Sequence, residues 1–158
     1  MSKEPHGPTP GFLVWRLAMK WRVAVDRALA PLGLTHAQYA LLASLYGVQR
    51  SGLQPSQREL ADRTGLEALY VSKLARTLEA DGLLAREKDP ADSRAVRLSL
   101  TTTGRETTRR AIALVQQLLE QLLAPLGGLD GARTDALVRE LTTLLDTPLD
   151  VPSDPPEE

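Results

Sequence analysis

Apolar residues recur with a helical period over most of the chain and alternate with polar ones over one short stretch. From Gly11, the stretch FLVWRLAMKWRVAVDRALAPLG reads as one long helix. Leu13, Leu17, Val25, Ala28 and Leu29 are interleaved with the charges Arg16, Lys20, Arg22, Asp26 and Arg27. It is apolar on more than one face, which predicts burial against several partners. Pro31 and Gly33 end it. Thr35 is the expected N-cap of a second helix, HAQYALLASLYGV, with Leu41, Leu42 and Leu45 on its inner side. RSGLQP (50–55) is a loop. Ser56, with Glu59 three residues on, forms a capping box for the short helix SQRELADRTG, and Gly65 stops it. Residues 67–81, EALYVSKLARTLEAD, make the next helix, with Leu69, Val71, Leu74 and Leu78 as its apolar positions. Leu69, Leu74 and Leu78 are expected to pack inward. Gly82 closes the helix.

Two short strands follow, LLAREK (83–88) and AVRLSL (95–100), around the charged turn KDPADSR. Pro90 sits in the turn, where a missing N–H is harmless. A long helix runs from about Gly104 to Leu123 on an apolar stripe of Ile112, Val115, Leu119 and Leu122. PLGGLDG breaks it. The last helix, ARTDALVRELTTLLD, carries Leu137, Leu141, Leu144 and Leu145. Residues 1–10, with three prolines and a glycine, are expected to be a flexible arm. The Pro-rich acidic stretch 147–158 is expected to be a disordered tail.

A short helix, the tight turn Thr64-Gly65-Leu66, a second helix and then a hairpin is the order of a winged helix-turn-helix. The expected fold is mainly α with a small β-hairpin wing. In such a unit, spanning 35–101, the second helix lies in the major groove of double-stranded DNA. Tyr70, Ser72, Lys73, Arg76 and Thr77 are left outward on it. Gln57 and Arg58 open the preceding helix, whose N-terminus favours a phosphate. Arg94 sits near the hairpin tip, where an arginine can enter the negative minor groove. Phosphate would repel Asp92, so its expected task is wing support: holding Arg94 or a nearby backbone N–H in place. Arg97 and Lys88 are strand-face charges expected near phosphate. A protein–protein interaction module that uses a winged helix without DNA is the alternative.

Composition narrows the choice. The chain has 158 residues and a net charge of −1, but the charge is uneven. Residues 1–49 carry five basic and two acidic side chains, 50–110 carry twelve and nine, and 111–158 carry two and nine. A basic face on the first two thirds and an acidic end remote from it are compatible with a polyanionic partner. There is no cysteine and there are two histidines, His6 and His36. No metal site, no cofactor and no nucleophile–base set is expected, so the chain does not read as an enzyme. No stretch has the length of a membrane span, and MSKEPHGPTP is not a signal peptide, so a cytoplasmic location is expected.

The segment LEADGLLAREKDPADSRAVRLSLTTTG resembles the winged segment of the MarR family, regulators of the multiple-antibiotic-resistance type. Members typically carry Leu-Glu, Gly-Leu and an Arg into the wing, Asp-x-Arg at its tip, and Leu-x-Leu-Thr-x-x-Gly on the way out. These positions are Leu78, Glu79, Gly82, Leu83, Arg86, Asp92, Arg94, Leu98, Leu100, Thr101 and Gly104. Many members have two arginines after the Asp; here the first is Ser93, which leaves Arg94 alone at the tip. The resemblance extends in helix order over roughly 11–146. It implies a transcriptional regulator, a repressor in the commoner case. It implies a homodimer through the helices at 11–34 and 102–146, and a palindromic operator. It further implies a pocket for a small aromatic or phenolic anion between the dimerisation and DNA-binding parts. Candidates for that pocket are Trp15, Met19, Trp21, Arg22, His36 and Tyr39.

Overall fold

The computed structural model describes residues 7–151. Six α-helices and a two-stranded hairpin follow one another as α1 (Pro10–Leu29), α2 (His36–Arg50), α3 (Gln57–Thr64), α4 (Ala68–Ala80), β1 (Leu84–Lys88), β2 (Val96–Leu100), α5 (Thr102–Leu123) and α6 (Ala132–Asp146). Single 3-10 turns follow α1 and α5. By packing, the chain falls into two compact units, one ending at Gln116 and one beginning at Gln117.

In the first unit the caps expected from the sequence are made. The Thr35 hydroxyl accepts the Gln38 N–H while the Gln38 side chain accepts the Thr35 N–H. Ser56 and Glu59 do the same at α3. Gly65 ends α3 at φ +72, a left-handed value that a side chain resists. Gly82, at φ +74, makes the corresponding turn out of α4. Leu41, Leu42 and Leu45 of α2, Leu60 of α3, Val71 and Leu78 of α4 and Leu98 of β2 are wholly buried together with Val25 and Leu29 of α1. β1 and β2 pair antiparallel, Leu84 against Leu100 through Lys88 against Val96.

Four expectations need correction. Leu69 does not pack inward: it is 85% exposed, and Val71, Leu74, Ala75 and Leu78 form the inner face of α4. Helix α5 starts at Thr102, because the Thr101 hydroxyl accepts the Gly104 N–H and caps it. Its buried positions are Gly104, Thr108, Ala111 and Val115; Ile112, Leu119 and Leu122 are half-buried. Pro10, expected in the arm over 1–10, opens α1, which Thr9 caps through the Phe12 N–H; residues 1–6 lie outside the described residues. Of the tail, 147–151 are exposed and without regular structure, and 152–158 lie outside the described residues.

Gly104 has a specific reason. A Cβ there would lie 1.7 Å from the carbonyl oxygen of Leu83, so α5 passes against the backbone that enters β1. The Thr101 N–H donates to that same oxygen, and the Thr101 hydroxyl donates to the Gly82 carbonyl.

In the second unit, Gly127 and Gly128 turn the chain at positive φ, and the buried Thr134 hydroxyl donates to the Gly128 carbonyl at the start of α6. Along α6, Leu137 is half-buried, while Val138, Leu141, Leu144 and Leu145 are exposed. Phe12, Leu13, Val14, Trp15, Leu17 and Val23 of α1 are exposed as well. No helix among the described residues is long and apolar enough to cross a membrane.

Candidate nucleic-acid interface

Helix α4 has one buried and one open face. With Val71, Leu74, Ala75 and Leu78 inward, a turn of 3.6 residues puts Leu69, Lys73 and Arg76 on the opposite line, at i, i+4 and i+7. Thr77 is exposed beside them, and its hydroxyl is donated back to the Lys73 carbonyl at 3.2 Å. Ser72 is half-buried on one flank and Tyr70 is 41% exposed on the other. Lys73, Arg76, Arg58 and Arg94 make no ion pair among the described residues.

A groove of about 840 Å³ joins three of the elements expected to meet DNA. Gln57 and Arg58 line it from α3, Ala68 from the start of α4, and Asp92 and Arg94 from the wing. The buried Oε1 of Gln57 has no hydrogen-bond partner. The Asp92 Oδ1 accepts the Arg94 N–H at 3.0 Å and its carbonyl accepts the Ala95 N–H. Arg94 therefore leaves a hydrogen-bonded tip with its side chain exposed.

Arg97 is placed differently from the expectation of a phosphate-facing charge. Its Nε donates to Asp89 Oδ2 at 2.6 Å and its Nη1 donates to the Gln54 carbonyl. The Leu98 N–H donates to the Pro55 carbonyl, and Ser56 bridges to Arg97, so β2 is tied to the segment that leads into α3. Asp89 went unnoticed in the sequence. It is 8% exposed, and its carboxyl is held below the usual carboxylate range, first by the Ala91 N–H and then by Arg97, against the opposite pull of burial. With Lys88 opposite Val96, the next residue falls beside Ala95, at the tip end of β2. Lys88 is exposed at the end of β1. In the sequence Glu79 stands out only as part of a motif. It accepts the Arg86 N–H at 3.1 Å and stands 3.6 Å from the Arg86 guanidinium, fastening α4 to β1.

A second cleft, of about 830 Å³, opens between α1, α2 and the start of α4. Arg22, Asp26, Leu34, His36, Thr64 and Tyr70 are among its walls. Of the residues expected at a pocket, Arg22 and His36 both line this cleft, whereas Trp15, Met19, Trp21 and Tyr39 do not. Trp15 and Met19 are exposed on α1, and Trp21 and Tyr39 are half-buried elsewhere. Asp26 accepts the His36 backbone N–H at 2.6 Å and lies 3.8 Å from Arg22. Burial lowers the His36 pKa; Asp26 opposes the shift and Arg22 adds to it.

Known proteins share this arrangement. The MarR family model matches residues 32–95, from the end of α1 through the wing tip. An uncharacterized HTH-type transcriptional regulator of Bacillus subtilis, YdcH, is 37% identical over 116 residues, 73% of this chain and 79% of its own. An HTH-type transcriptional repressor of Mycobacterium tuberculosis is 34% identical over 116 residues, 73% of this chain and 81% of its own. The transcriptional repressor CouR, solved bound to a 23-mer DNA duplex, superposes with a TM-score of 0.74 at 30% identity, covering 91% of this chain and 99% of that one. A helix pair with an open basic face, a braced hairpin with an arginine at its tip, and these likenesses converge: the chain belongs to the MarR family of DNA-binding, winged-helix transcriptional regulators.

Proposed function

We propose that the protein is a repressor that covers a palindromic operator as a homodimer and is released by a small aromatic or phenolic anion. The observation that carries the DNA half is the single groove shared by Gln57 and Arg58, the start of α4, and Arg94. Helix α4 enters the major groove with Lys73 and Arg76 toward base edges and phosphates, flanked by Ser72, Thr77 and Tyr70. Arg94 enters the adjoining minor groove, and the N-terminus of α3 faces a phosphate. Arg97 braces the wing from behind. Bound there, the dimer blocks polymerase.

The exposed apolar side chains of α1 and α6 support the dimer, because a monomer gains nothing by leaving so many in water. Two-fold symmetry sets the recognition helices about 34–36 Å apart, one turn of DNA. The cleft at Arg22 and His36 supports the effector. It offers an apolar wall, the Arg22 guanidinium, which an anion would share with Asp26, and an imidazole whose charged form burial disfavours. Tyr70 belongs both to this cleft and to the first turn of α4. A ligand that binds better when α4 is displaced shifts the population away from the DNA-competent state.

The test is a titration onto DNA from upstream of the protein's own gene at several salt concentrations, beside Arg94→Ala. Specific binding is expected to fall steeply with salt, and the variant to bind more weakly with a slope shallower by roughly 0.9 per lost phosphate contact. Binding no tighter than to random DNA at every salt concentration, with the variant unchanged, would overturn the proposal.

A further inference from the structure

Leu69 is 85% exposed, yet it stands on the same line of α4 as Lys73 and Arg76 and in the first turn of the helix. Its neighbour Tyr70 lines the cleft at α1 and α2, but Leu69 lines neither that cleft nor the groove at the wing. A leucine there contributes nothing to the core of this chain and cannot donate or accept a hydrogen bond. What it can do in the major groove is limited by the chemistry of base edges. Three of the four bases show only donors and acceptors there; thymine adds a 5-methyl group. N-terminal residues of a recognition helix are the ones that reach base edges.

The geometry points to Leu69 as a specificity-determining residue that selects thymine by burying its 5-methyl group. The inference rests on the assignment of α4 as the recognition helix. Lys73 and Arg76 then supply charge and hydrogen bonds along the same line, and Leu69 supplies the one apolar contact. Each methyl buried against Leu69 adds on the order of 4-fold in affinity, the worth of one buried carbon. A two-fold dimer meets two such methyls, so the full effect is about 16-fold.

The experiment uses the full chain. Bound sites are selected from random duplexes, and each thymine of the resulting half-site is replaced by deoxyuridine, which removes the methyl and leaves the pairing intact. Dissociation constants are measured for wild type, Leu69→Ala and Lys73→Ala. Leu69 is exposed, so its truncation leaves the core untouched. The expected result is one thymine per half-site whose replacement weakens wild type by about 4-fold, while Leu69→Ala binds both probes alike. Lys73→Ala is expected to bind both more weakly, with a shallower salt slope, and to keep the thymine preference. If no half-site position is enriched in thymine, or if Leu69→Ala still distinguishes thymine from uracil, Leu69 is not the reader. If uracil is tolerated everywhere while Lys73→Ala binds weakly, α4 reads DNA without Leu69. If neither uracil nor Lys73→Ala has any effect, the assignment of α4 itself fails.

Discussion

Replacing Gly104 with alanine tests whether the wing is anchored where α5 crosses its base. Alanine in place of glycine favours a helix by about 1 kcal/mol. At Gly104 the added Cβ would meet the Leu83 carbonyl oxygen at 1.7 Å and its carbon at 2.6 Å. The obstacle is backbone, so no side-chain rotation relieves it. Helix α5 and the entry to β1 must separate, which stretches the Thr101 N–H bond to the same oxygen and the Thr101 hydroxyl bond to Gly82. Overpacking of this kind costs about 3 kcal/mol, leaving a net loss of roughly 2 kcal/mol after the propensity gain. For a chain of this length that lowers the melting temperature by roughly 4–8 °C. Gly47 is the control: it lies within α2, and a Cβ there meets nothing within 4 Å. Gly47→Ala should raise stability by up to about 1 kcal/mol. Thermal unfolding at one fixed protein concentration reads both, since oligomer stability depends on concentration. A Gly104→Ala protein as stable as wild type would refute the close approach.

Two further perturbations address the wing. Arg97→Ala should weaken operator binding by roughly 10-fold, the scale of one lost charge-assisted hydrogen bond, without changing the salt slope, because the guanidinium is bound to Asp89 and Gln54. A slope shallower by about 0.9 would instead make Arg97 a phosphate contact. Asp89 is held below the unfolded carboxylate value of 3.8. Its stabilisation is therefore complete above about pH 4 and lost as pH falls through the folded value. Melting curves of wild type and Asp89→Asn should differ at pH 6 to 7 and converge in acid; a difference that grows on acidification would contradict the pairing.

Local chemistry was legible in the sequence wherever it was self-contained. The N-cap at Thr35, the capping box at Ser56 and the turns at Gly65 and Gly82 need only residues a few positions apart, and all four are made. The wing's place followed from turn residues and alternation, while the pairing of Leu84 with Leu100 through Lys88 with Val96 is seen only in the structure. What escaped depended on partners distant in the chain or on phase. Leu69 resembles a core position because it is apolar, although its phase on the helix sets it opposite Val71 and Leu78. Arg97 looked like a free strand charge, because its acceptors lie at Asp89 and, 43 residues away, at Gln54. Of the residues expected at the cleft, Arg22 and His36 are there, but Trp15 and Met19 lie exposed on α1, where aromatic and apolar content alone could not tell a pocket wall from an unpartnered face.

The wing's order is borrowed. Two strands of five residues are marginal on their own in water. Three helices supply what the hairpin lacks. Arg97 and Leu98 tie β2 to the residues that open α3, Glu79 ties β1 to α4 through Arg86, and Thr101 with Gly104 ties both strand bases to α5. Each tie meets the hairpin at its base or along a strand, while at the tip the Asp89 and Asp92 carboxylates accept the Ala91 and Arg94 N–H, Asp89 also holding Arg97. A hairpin held in this way would act as a lever: a small rotation of α3, α4 or α5 would displace its base, and the displacement would grow toward Arg94. The position of the tip arginine therefore reports the packing of three helices at once, so core substitutions far from DNA should change operator affinity through Arg94 before they unfold the chain.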